Sequence, residues 1–181
     1  MTKSYLARRF ARLALVGTVA ATVAAGGVLA TLAPASASTG TWERISVYSS
    51  GLVAAVPSPY ITNDLQVETA AYGVYAWNGQ WMLDAVSTDT YTIENRYSHQ
   101  CLDTENGNSM TTGTPVVQRP CDTSQSQKWV LTHDAVLPVR HITNLLSGLS
   151  LGVENGSSSA GAGFIQAANA PNNISRMFQI W

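Results

Sequence analysis

Three times in this chain an isoleucine is followed 36 residues later by a bulky aromatic: Ile45 to Trp81, Ile93 to Trp129 and Ile142 to Phe178. The offsets between copies are 48 and 49 residues. Around the second and third isoleucines the match extends through Asn95 and Asn144, Ser98 and Ser147, Leu102 and Leu151, and Glu105-Asn106-Gly107 and Glu154-Asn155-Gly156. The first copy is more divergent, with Ser50 at the place of the shared serine. Each aromatic has an aliphatic two positions on, Leu83, Leu131 or Ile180, the alternation of a half-buried strand. "YTIEN", "TPVVQ" and "KWVLT" read as strands in the middle copy, and "RHITN", "GFIQA" and "MFQIW" as their counterparts in the last. Asn-Gly, Ser-Gly and Pro punctuation interrupts the chain often, and helical periodicity is nearly absent after residue 40. A unit of about 48 residues cannot bury its own apolar face. Three units around one axis can, and closing the sheet also removes the exposed edges. An all-β fold of pseudo-threefold symmetry is expected, with repeats at about 41–88, 89–137 and 138–181 and with Trp81, Trp129 and Phe178 in a shared core.

The N-terminus belongs to another class of segment. Lys3, Arg8, Arg9 and Arg12 precede an uncharged run rich in Ala and Gly, which ends at Ala35-Ser36-Ala37. This is the pattern of a secretory signal of bacterial type over residues 1–38, cleaved after Ala37 or Ser38, and the remaining domain is expected outside the cell. A retained anchor is the alternative, since the run is long enough to span a bilayer; after cleavage no membrane contact is expected. Four of the ten basic residues lie in this segment, so the domain keeps six against eleven acids, a net charge of −5. Nucleic acid is disfavoured as a partner, because its affinity comes mainly from Lys and Arg neutralising phosphates.

Cys101 and Cys121 are the only cysteines, and in an oxidising compartment they are expected to form a disulfide. His99, His133 and His141 do not stand at zinc-finger spacing from them, and there is no CxxC or HExxH, so no metal or cofactor is expected. Nucleophile-elbow and phosphate-loop motifs are missing as well, so no enzymatic activity is expected.

The Cys101-Leu102-Asp103 start, the second cysteine and the Gln127-Lys128-Trp129 close, set in three repeats, resemble the ricin B-type lectin domain. The resemblance covers the chain after residue 38 and is sharpest in the middle copy; the others close on Gly79-Gln80-Trp81 and Arg176-Met177-Phe178. It implies a β-trefoil and the binding of glycan or polysaccharide. By that resemblance Asp103 accepts hydrogen bonds from sugar hydroxyls, Arg119 stands where the family has a stacking aromatic, Ser126 where it has an asparagine, and Gln127 is retained. Asp122, Gln118 and Asn106 are further polar candidates nearby. The outer copies have Ala55 and Gly152 at the aspartate position and, aligned without gaps, Ala71 and Ala168 at the stacking position. Tyr72 or Tyr75 would have to substitute in the first copy, and Glu154 or Asn155 in the third. The expected function is weak, non-catalytic glycan binding through the middle repeat. The alternative is a trefoil that has lost sugar recognition and serves as a protein-binding or inhibitor scaffold.

Overall fold

Ile45, Ile93 and Ile142 are all buried to within 1% of full burial, and Trp81, Trp129 and Phe178 are completely so. They lie in one apolar cluster with Val47, Leu83, Leu131, Leu102, Leu151 and Phe164. The structure, a computed structural model, describes residues 40–73 and 77–181; the proposed export segment and Tyr75 lie outside the described residues. Six strands surround the cluster. β1 (Ile45–Val47) pairs antiparallel with β13 (Phe178–Ile180), and β13 with β10 (Arg140–Asn144). β10 pairs with β9 (Trp129–His133), β9 with β6 (Thr90–Asn95), and β6 with β5 (Trp81–Ser87). Glu43, just before β1, closes the ring by exchanging backbone hydrogen bonds of 2.8 Å with Trp81 in both directions.

Three hairpins complete the repeats: β2 (Val53–Ala55) with β4 (Glu68–Ala70), β7 (Gln100–Thr104) with β8 (Val116–Pro120), and β11 (Ser150–Val153) with β12 (Phe164–Ala167). Each repeat thus gives two strands to the barrel and one hairpin to its cap, the architecture of a β-trefoil. A short additional strand, β3 (Leu65–Gln66), leaves the first repeat to pair with β8 of the second.

Two of the shared sequence features serve this frame. The Asn95 and Asn144 side chains accept hydrogen bonds from backbone N–H groups two and three residues on, and donate to the Asn78 and Ser126 carbonyls of the preceding repeat at 2.7 and 2.6 Å. The Glu-Asn-Gly triplets form single 3-10 turns, with Asn106, Gly107, Asn155 and Gly156 all at positive φ. Only Gly, and less readily Asn, adopts that conformation without strain.

A third device joins the repeats in a cycle. The residues paired opposite Ala54, Leu102 and Leu151 are Thr69, Gln118 and Gln166, all buried. Thr69 donates to the Ser159 carbonyl, Gln118 to Thr62 and Gln166 to Ser109, at 2.8 to 2.9 Å. Each bond reaches the long loop of the preceding repeat around the axis. Gln118 is therefore committed to the scaffold and does not face a ligand, contrary to its reading as a nearby polar candidate.

Cys101 and Cys121 are bonded, tying the start of β7 to the segment after β8. In the third repeat a hydrogen bond of 2.6 Å from Ser150 to Asn169 takes the same place. Closing a loop of 20 residues stabilises by roughly 3 kcal/mol in the chain-entropy model. Reduction should lower the Tm by about 10 °C; a thermal scan with reductant, with free thiols verified, that gives the same Tm would show the bond carries no stability. Gln166→Leu should destabilise by about 1–3 kcal/mol in urea unfolding, because it removes the bond from a buried amide to the half-buried Ser109 carbonyl.

Candidate functional site

Asp103 sits in β7 opposite Val117, and its side chain is 2% exposed. A buried carboxylate must be hydrogen-bonded. One oxygen accepts from the Thr104 N–H at 2.7 Å and the other from the Gln127 amide at 3.0 Å. Gln127 lies in a single 3-10 turn, Gln125–Gln127, and is itself buried. Its Nε2 also donates to the Pro120 carbonyl at 2.9 Å, and its Oε1 accepts from the Asp122 N–H at 2.8 Å. The retained glutamine therefore locks the segment after β8 onto Asp103 and fixes the direction of that carboxylate.

Arg119 covers the outward side. Its Nε is 4.0 Å from Asp103 and 3.3 Å from Asp64, and its side chain is about one-third exposed. The guanidinium lies against Gly107, where an added Cβ would stand 2.7 Å from Nη1. Asp64 comes from the first repeat: its N–H donates to the Gln118 carbonyl at 2.9 Å as the chain enters β3. One cation thus faces two carboxylates. Asp64 is not among the site candidates of the sequence and Gly107 enters there only through the repeated Glu-Asn-Gly triplet; the "PSPYITND" stretch that brings Asp64 here matches the other copies poorly.

Asp103, Arg119, Gln127 and Ser126 converge, while Asp122 hydrogen-bonds to Gln127 through its backbone N–H. The Asp122 carboxylate accepts from the Ser124 N–H at 2.7 Å. Hydrogen bonding to Ser124 is the main cause that holds it below the usual carboxylate range, and Arg119 and Lys128 add to that. Ser126 is fully buried, with its hydroxyl 2.9 Å from that of Ser124. Among the described residues no cluster of three or more His, Cys, Asp or Glu could hold a metal ion.

The strand registers correct the gapless alignment of the outer copies. Asp103 pairs with Val117, but Ala55 pairs with Glu68 and Gly152 with Ile165. The residues equivalent to Arg119, paired with Cys101, are therefore Ala70, paired with Val53, and Ala167, paired with Ser150. Ala71 and Ala168 are each one place too far along. The middle copy is the odd one: its hairpin loop is one residue longer, and its return to the barrel one shorter. Tyr72 does not replace the stacking aromatic; its ring packs 5.6 Å from Trp181, with Arg44 4.7 Å from its centroid. In the third copy Glu154 is exposed, while Asn155 lines a cleft beside Arg176.

The comparisons with known proteins agree with this geometry. The model of the ricin-type β-trefoil lectin domain-like family matches residues 31–119 and 78–167. No curated protein matches the chain in sequence. Among solved structures, the chain is similar to the designed threefold-symmetric protein ThreeFoil, with TM-score 0.72, 26% identity, and coverage of 77% of this chain and 96% of that one. The Macrolepiota procera ricin B-like lectin, solved with lactose, superposes with TM-score 0.67 at 15% identity over 80% of this chain and 96% of that one. An exo-β-1,3-galactanase from Clostridium thermocellum gives TM-score 0.72 at 20% identity over 78% of this chain, but the match spans only 30% of the enzyme. A family model covering most of the chain, joined to three hairpins on a closed six-stranded barrel, places this protein in the ricin B-type β-trefoil lectin domain family, a family known for carbohydrate binding.

Proposed function

We propose that this domain is an exported, non-catalytic module that binds glycan or polysaccharide weakly through its middle repeat. The observation that carries the reading is the Asp103 carboxylate, aimed by Thr104 and Gln127 and flanked by the partly exposed guanidinium of Arg119. An oriented acceptor beside a planar donor suits vicinal sugar hydroxyls, and the pinning lowers the ordering cost on binding. Two features make the affinity low. No aromatic ring stands at the stacking position, and Asp64 competes for Arg119. The outer copies have alanine or glycine in place of the acid, so neither reproduces this acceptor.

A second reading, a protein-binding surface, draws on a different feature. Two arginine–aromatic clusters lie among the described residues: Arg44 packs over Tyr72 and Trp181, and Arg96 over Trp42 and Trp77. Tyr72, Trp77 and Trp181 are each more than half exposed. Exposed Trp, Tyr and Arg side chains are the types that dominate protein interfaces.

Glycan-array and polysaccharide pull-down with the wild type, Asp103→Ala and Arg119→Ala separates the readings. Both variants should bind at least about ten-fold more weakly, the loss expected when a charged hydrogen-bond partner is removed. Arg119→Ala guards against misfolding, since Asp103 is buried and its removal strands Gln127. Retention on glycan unchanged in both variants would refute the middle-repeat site. If no glycan is retained and Tyr72→Ala with Trp181→Ala abolishes capture of a specific protein, the scaffold reading holds instead.

A further inference from the structure

In the third repeat the same frame carries the opposite charge. Gly152 stands where the middle repeat has Asp103, and Arg176 where it has Gln127. A Cβ on Gly152 would lie 3.3 Å from Cγ of Arg176 and 3.7 Å from its Nε. The arginine stem therefore occupies the room that the carboxylate fills in the middle copy. Nη1 donates to the Ala168 carbonyl, and among the described residues Arg176 makes no ion pair. By contrast, Arg119 is held by two acids.

Arg176 opens on a cleft of about 400 Å³ with Ser49, Asn155, Ser158, Asn173 and Ser175 around it. That volume falls in the roughly 300–1,000 Å³ range of small-molecule sites. Among the described residues no acid lines the cleft; its apolar lining includes Val153, Ile165, Ala167 and Ile174. An unpaired guanidinium keeps most of its five N–H donors in a planar fork that matches a carboxylate, and a half-buried site screens that attraction less than open water does. Serine hydroxyls and asparagine amides beside it suit sugar hydroxyls.

We propose that this third-repeat cleft binds an acidic saccharide, with Arg176 clamping the carboxylate of a uronic acid residue and the serine and asparagine side chains taking the ring hydroxyls. The proposal rests on the reading that the domain binds saccharide, but not on the middle repeat being a site.

The test is calorimetric titration with glucuronate- and galacturonate-containing oligosaccharides, their methyl esters, and an acidic peptide that offers carboxylates without a sugar. The acid should bind at least about ten-fold more tightly than its ester, and the difference should shrink at high salt. Arg176→Gln, which introduces the residue found in the middle repeat, should erase the preference with the Tm retained, and Ser175→Ala should weaken binding without erasing it. Equal binding of acid and ester, or a preference that survives Arg176→Gln, would overturn the proposal. So would equal binding of the acidic peptide, which would show carboxylate capture without sugar recognition. Loss of neutral-glycan binding in Arg119→Ala reports on the middle repeat alone, so the two sites fail separately.

Discussion

The ring of six strands closes through two backbone hydrogen bonds between Glu43 and Trp81, and the buried Trp81, Trp129 and Phe178 rings fill the space it encloses. No single repeat can reproduce that enclosure, because each supplies only two of the six strands. A Trp or Phe side chain is worth several kcal/mol only when it is surrounded on all sides. The Thr69, Gln118 and Gln166 bonds act in the same sense, since each buried donor finds its acceptor in another repeat. Cooperativity of the fold follows from this cross-repeat satisfaction of polar groups and from the common core.

With the frame held by backbone pairing, the residue opposite the third strand of each repeat is free to vary. Ala55, Asp103 and Gly152 occupy equivalent places with little change in the strands around them. What changes is charge. The middle copy carries a buried acid beside Arg119, which also faces Asp64; the third carries an arginine with no ion pair among the described residues; the first has Ala55 at this place with Glu68 on the facing strand. One scaffold therefore presents three electrostatically distinct faces, and any ligand preference comes from these substitutions and not from the fold.

Much of this was legible in the order of residues. The 36-residue spacing of Ile and aromatic, the alternation after each aromatic and the Cys-Leu-Asp to Gln-x-Trp frame led to an all-β threefold fold, which the structure and the family match bear out. The strand at Cys101 was less visible, because its Asp and Thr are buried and alternation is masked. The gapless alignment misplaced Ala71 and Ala168, since loop lengths differ by one residue on either side of the hairpin strand and cancel over the whole repeat.

Period-two patterning and repeat spacing are local properties, because residues two apart on a strand meet the same environment wherever the strand ends up. The amino-acid order therefore settles which side chains face the core and how many units share it. Which charges meet is different. Asp64 reaches Arg119 only because the first long loop crosses into the second repeat, and Arg176 lies over Gly152 only because a missing side chain leaves room there. Such contacts join positions tens of residues apart across a closed surface, with no periodic signature, and so they are decided when the chain closes on itself.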